Sequence, residues 1–213
     1  MENVVKNFDL VKEEISNFKN ANIVAVSKTF PISHILPLIN HGHQHFGENK
    51  VQEAQEKWTS LKNDFPNLKL HLIGKLQTNK VKFALPLFDY IHSLDSIKLA
   101  EKISLEQEKK NFKPKIFIQI NLAKETQKSG IEEDQLKNFY EKCINELKLN
   151  IIGIMCLPPI DKDPIPFFKK MQNLSESLNL KEISMGMSND YLEALKFKAT
   201  YIRVGSKIFG SRG

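Results

Sequence analysis

The chain is poor in cysteine. Only Cys143 and Cys156 occur in 213 residues, and they do not form a CxxC pair. That excludes a disulfide framework and counts against a redox pair, so both are expected to be reduced thiols packed inside a cytoplasmic protein. Long apolar runs are missing too, and nothing in the sequence is apolar for long enough to cross a bilayer. The opening "MENVVKNFDLVKEEI" lacks the apolar segment of a signal peptide and carries acids instead, so neither export nor membrane attachment is expected. No basic stripe with interleaved aromatics occurs. The formal charge of +6 comes from 31 basic and 25 acidic residues, and the lysines alternate with glutamates as on solvated helix faces. This argues against nucleic acid, while a modest positive field suits small anions. Repeats, low-complexity tracts and linkers are also absent, so a single domain, 1–213, is expected.

What the chain does have is alternation. Apolar residues at Val4, Val5, Phe8, Val11, Ile15 and Phe18 recur at helical spacing, which predicts an amphipathic helix over 3–19. Eight strand candidates follow: "NIVAVSK", "HFGEN", "LKLHLIG", "YIHSLD", "PKIFIQIN", "NIIGIMCL", "KEISMG" and "ATYIRVGS". Helices are predicted between them, at 32–41, 50–62, within "NKVKFALP" up to Pro86, and at 96–110, 132–148, 164–178 and 189–197. Strands alternating with helices imply a parallel sheet. Eight of them in this length fit a closed (β/α)8 barrel of the α/β class, the extra N-terminal helix taking the place of a missing eighth. An open doubly wound sheet is the alternative.

In such a barrel, chemistry sits at the C-terminal ends of the strands. Those ends carry Lys28, Asn49, Gly74, Asp95, Asn121, Met155, the run "SMGMSND", and Arg203 with Gly205 and Ser206. Closure places Lys28 of the first strand beside Arg203 of the eighth. Partial desolvation and a nearby cation both lower a lysine's pKa from about 10.4, and a neutral amine attacks carbonyl carbon. The alternative is a lysine that reaches out to water. The small residues after strands seven and eight, among them Ser188, Gly205 and Ser206, match the place where barrels of this kind hold phosphate. An amine beside a phosphate site suits a phosphorylated aldehyde, either pyridoxal phosphate or an aldose phosphate. Arg203 would then face a pyridine nitrogen, or else form a structural ion pair.

The runs "AVSKTFP", "HFGENKVQEA", "LHLIGKLQTNKV", "IQINLAKETQKSG", "GIMCLPP", "SMGMSNDYLEAL" and "RVGSKIFGSR" occur together and in order. With them the chain resembles the YggS/PROSC family of pyridoxal phosphate homeostasis proteins from about residue 21 to its end. The resemblance implies a fold like the N-terminal domain of alanine racemase and pyridoxal 5'-phosphate as cofactor. It implies that Lys28 forms the aldimine, that Ser188, Gly205 and Ser206 hold the phosphate, and that Met187 lies at the phosphate end. It further implies that Arg203 faces the pyridine nitrogen, that Asn49 lines the pocket, and that His71 and "GKLQTNK" form its wall and rim. Lys128 in "QKSG" matches a position with a secondary role in cofactor handling. Phe30 departs from the pattern: many bacterial members carry a second basic residue there, so a transfer role resting on that residue does not carry over.

These residues imply a carrier more than an enzyme. An arginine partner leaves the ring nitrogen short of a proton, which weakens the ring as an electron sink. A two-base racemase also needs a second base opposite the lysine. None of Tyr90, Tyr140, Tyr191 and Tyr201 ends a predicted strand, and a second, β-rich domain is not expected. The expected role is to hold the cofactor as an aldimine and release it to recipient apo-enzymes, acting as a monomer. The alternatives are a weak amino-acid racemase or decarboxylase, a Schiff-base aldolase, and a nucleic-acid binder. "HGHQH" is expected to be a turn more than a metal site, and Glu48 and Asp95 to pair with lysines or cap helices more than to act as acid and base. Trp58 is expected to pack, and "LPPIDKDPIP" to form a rigid loop near the barrel mouth.

Overall fold

The structure is a computed structural model that describes residues 4–123 and 129–210. The elements run α1 (Val4–Glu14), β1 (Asn22–Val26), α2 (Ile32–Asn40), β2 (His45–Glu48), α3 (Val51–Asp64) and β3 (Lys69–Leu72). A 3-10 turn leads into α4 (Val81–Ala84), then β4 (Tyr90–Leu94), α5 (Ile97–Lys110) and β5 (Lys115–Ile120). Another 3-10 turn opens α6 (Leu136–Asn145), followed by β6 (Ile151–Cys156), α7 (Ile165–Ser177) and β7 (Glu182–Met187). The last elements are α8 (Tyr191–Lys196), β8 (Tyr201–Val204) and α9 (Ser206–Phe209). The eight strands are parallel and close into a barrel in sequence order. β1 seals it against β8, with Val24 opposite Arg203. This is the predicted (β/α)8 fold, and the open-sheet alternative is excluded.

Period-two alternation decides which side chains enter the barrel. Val24, Tyr90, Phe117, Met155 and Tyr201 pack together inside it, while a larger cluster fills the layer between sheet and helices. On β1, Ala25 faces the helices while Val24 faces in, and Val26 and Lys28 follow in phase with Val24. On β8 the same phase brings Tyr201, Arg203 and Gly205 inward.

Several boundaries differ from the sequence reading; the helix expected over 132–148, for one, is α-helical only from Leu136 to Asn145. The first helix leaves α-helical geometry after Glu14, although Ile15 is still buried. The place after β8 is also not left to α1 alone, because the four-residue α9 packs there against it. Glu14 on α1, Tyr191 on α8 and Lys207 on α9 tie the three helices together: the Tyr191 hydroxyl donates to Glu14, and Lys207 Nζ lies 2.7 Å from both Glu14 Oε2 and Tyr191 Oη. Among the described residues, no helix is long and apolar enough to cross a membrane.

Candidate functional site

A cavity of about 570 Å³ opens at the C-terminal end of the barrel, within the usual size range of small-molecule sites. Lys28, Asn49, Met187, Ser188, Arg203, Gly205 and Ser206 all line it. So do Phe30 and much of the loop after β6, including Pro158, Pro159 and Ile160.

The two loops of the proposed anion end are tied to each other. Gly186 has φ of +88°, and an added Cβ would lie 2.7 Å from Ala194 Cβ, so only glycine makes this turn without strain. Just beyond it, the Met187 N–H donates to Asp190 Oδ1 at 2.6 Å. From the other loop, the Gly205 N–H donates to Ser188 Oγ at 3.2 Å. Ser188 acts there as acceptor, so its hydroxyl hydrogen can be donated to a ligand. Ser206 opens α9, where a backbone N–H has no helical carbonyl to bond.

Arg203 is only 4% exposed. Nη1 donates to Ser184 Oγ at 2.5 Å and Nη2 to the Cys156 carbonyl at 2.9 Å. Burial lowers its pKa from the usual arginine range, against smaller opposing effects of Cys156 and Asp190. Burial also pushes the Cys156 thiol up to about 12, so it stays neutral. Across the cavity, an added Cβ on Gly74 would fall 2.3 Å from the Asn49 carbonyl oxygen; the chain leaving β3 passes Asn49 this closely only because residue 74 is glycine.

Lys28 is held by its neighbours on both sides. Ser27 points outward and is fully buried; its hydroxyl donates to Glu48 Oε1 at 2.8 Å, and its carbonyl accepts from Lys57 Nζ at 3.0 Å. Thr29 has φ of +69°, left-handed backbone that a β-branched residue adopts only under constraint. Its N–H donates to Glu53 Oε1 at 2.6 Å. Lys57 Nζ joins the two halves, donating to Glu48 Oε1 and Glu53 Oε1 at 3.0 Å each, and Trp58 Nε1 also donates to Glu48 Oε1 at 3.0 Å. Burial pushes the Glu53 pKa up, but the Thr29 amide and Lys57 outweigh it and the pKa is lowered. The sequence reading missed Glu53 and Lys57. The signal was their i, i+4 spacing on α3 directly after the "GEN" run.

Glu48 turns away from the cavity and pairs with Lys57 on α3, as expected of it, while Asp95 lines a separate cavity. The implied wall elements also lie elsewhere: Lys75 to Asn79 line that second cavity, and His71 is fully buried inside the barrel. Phe30 stacks on His34 at 5.1 Å and meets Phe209 at 5.2 Å. His41 pairs with Asp9, and His43 Nε2 lies 2.7 Å from the His45 carbonyl. Among the described residues, no three His, Cys, Asp or Glu side chains are grouped to hold a metal. Lys128 lies outside the described residues.

Comparison with known proteins agrees with this geometry. The family model for the N-terminal domain of alanine racemase matches residues 1–213. The pyridoxal phosphate homeostasis protein of Aquifex aeolicus is 36% identical over 201 residues, covering 90% of this chain and 87% of its own. That of Haemophilus influenzae is 37% identical, covering 94% of this chain and 89% of its own. The solved structure of PipY from Synechococcus elongatus with PLP bound superposes with a TM-score of 0.84 at 32% identity, covering 94% of this chain and all of that one. An alanine racemase from Clostridium difficile shares the fold at 14% identity, with a TM-score of 0.76 and 57% of its length covered. The chain therefore belongs to the family of pyridoxal phosphate homeostasis proteins, built on the alanine racemase N-terminal fold.

Proposed function

We propose that this barrel, as a single domain over 1–213, binds pyridoxal 5'-phosphate and serves as its intracellular reservoir. The observation that carries the reading is the convergence, in one cavity, of an amine, a guanidinium and two glycine- and serine-bearing loops. The residues fit the cofactor. Ser188, Gly205 and Ser206 would hold the phosphate, with Met187 beside them, and Arg203 would donate a hydrogen bond to the ring nitrogen. Asn49 would face the ring's edge. Lys28 would attack the aldehyde carbon, forming a C=N bond as the carbonyl oxygen leaves as water. When bound, the cofactor supplies an electrophilic aldehyde that the protein keeps from stray amines.

The lining also speaks for storage over turnover. Arginine donates only, so it leaves the ring nitrogen unprotonated and the ring a poor electron sink. No tyrosine or histidine stands among the described residues of the cavity wall. Tyr90 and Tyr201 begin their strands, at the far end of the barrel from Lys28. Buried, unpaired Cys143 and Cys156 suit a reducing compartment such as the cytoplasm. Release to recipient apo-enzymes completes the proposed role.

Absorbance titration of the purified protein with pyridoxal 5'-phosphate tests this. The expected result is a saturable shift of the cofactor's band that Lys28→Ala abolishes. A spectrum that remains the sum of its parts contradicts it.

A further inference from the structure

Barrel interiors of this class are packed mainly with branched apolar side chains, yet this one carries a line of polar groups from one end to the other. His45 Nδ1 lies 2.9 Å from His71 Nε2, and His71 Nδ1 lies 2.9 Å from His92 Nε2. His92 Nδ1 lies 2.8 Å from Ser184 Oγ, which accepts from Arg203 Nη1. His71, His92 and Ser184 are fully buried. Their neighbours are rings: His71 stacks on Tyr90 with centroids 4.0 Å apart, and His92 on Phe117 at 4.3 Å. Burying three polar side chains is costly unless each finds a partner, and here each does.

The donors can be assigned from one fixed point. Arginine cannot accept, so Ser184 Oγ accepts from Arg203 and has its own hydrogen to place. Among the described residues the other partner of that hydroxyl is His92 Nδ1, which makes Nδ1 the acceptor. His92 then carries its hydrogen on Nε2 and donates to His71 Nδ1; His71 in turn donates from Nε2 to His45 Nδ1. Every ring is neutral and every bond runs the same way, from Arg203 toward the N-terminal mouth of the barrel. Burial, first of all, holds His71 and His92 well below the usual histidine range, and the Arg203 charge adds to this at His92.

We infer that Ser184, His92, His71 and His45 are positioning residues for Arg203, a polarised column that fixes the guanidinium's orientation toward the ligand cavity. Two of the Arg203 donors are committed to Ser184 and to the Cys156 carbonyl, which leaves the remaining ones for the cavity that Arg203 lines. Ser184 can serve as a fixed acceptor only if its own hydrogen is committed elsewhere, and the column commits it. This inference rests on the reading that Arg203 meets the cofactor ring.

Two measurements separate the column from that reading. In the ligand-free protein, long-range proton–nitrogen NMR reads the tautomers directly. His71 and His92 are expected as neutral rings with hydrogen on Nε2 at neutral pH; hydrogen on Nδ1 of His92 would overturn the column. The second measurement compares two ligands. Ser184→Ala, and separately His92→Phe, should weaken pyridoxal 5'-phosphate roughly tenfold, the scale of one charge-assisted hydrogen bond, and leave inorganic phosphate unchanged. Ser184→Thr keeps the hydroxyl and should restore binding. Equal losses for both ligands, or no loss for either, contradict a positioning role. If the wild-type protein binds phosphate but not pyridoxal 5'-phosphate, the proposed function fails and the tautomers alone decide the column.

Discussion

At the scale of the residue, Lys28 matters through what holds it. Its backbone is pinned from below, through Ser27 on Glu48 and Lys57 and through left-handed Thr29 on Glu53. A lysine on a loose loop would sample many positions, whereas this one follows the in-phase side of β1 into the cavity. Removing the Thr29 anchor is therefore expected to loosen the turn without touching the ligand. Glu53→Ala should lower affinity for pyridoxal 5'-phosphate about fivefold, the worth of one net hydrogen bond. The thermal midpoint should move little, because Glu53 is partly exposed. Titration and a melting curve on the same sample check both halves, and unchanged affinity would mean that the turn is held by something else.

At the scale of the element, most of the barrel was legible in the sequence. Strands in a parallel sheet are buried on both faces, so "NIVAV" and "KIFIQI" stand out as apolar runs between helices of clear period. The strand ends were legible for the same reason: lysine, arginine, glycine and serine interrupt those runs where the barrel opens. What stayed hidden was short or relational. Four residues cannot show helical period, so α9 is not among the helices expected from the sequence. Histidines 45, 71 and 92 lie on three different strands, and only closure of the barrel lines them up. The tie between α1, α8 and α9 is of this kind too, and it makes a prediction about pH. Hydrogen bonds from Lys207, then from Tyr191, lower the Glu14 pKa below its ordinary value. A depressed carboxylate adds stability that is present above the unfolded pKa of about 4.3 and is lost as pH falls through the folded one. The pair is largely exposed, so Glu14→Gln should cost no more than about 1 kcal/mol at neutral pH. Chemical denaturation should show that cost shrinking once pH drops below about 4.3; a cost that persists there would assign it to packing.

At the scale of the whole molecule, one barrel combines a largely apolar shell with a polar axis, and both shape its response to acid. His71 and His92 are neutral in the folded protein but titrate near pH 6.5 once unfolded. The unfolded state thus takes up protons first, and stability falls as pH drops below that value. The slope reaches about 1.4 kcal/mol per pH unit for each such histidine. Replacing both with glutamine should reduce the slope between about pH 6.5 and 5.5 and leave the share of His43, whose pKa burial lowers to about 4; denaturant midpoints at the two ends would show it, and an equal slope in the variant would place the acid sensitivity elsewhere. The proposed binding of the cofactor turns on a single covalent attachment point, Lys28. The most direct test is borohydride reduction of the protein loaded with pyridoxal 5'-phosphate, followed by peptide mass spectrometry. A pyridoxyl group on Lys28, absent from the Lys28→Ala protein, is the predicted result; the label on any other lysine would contradict it.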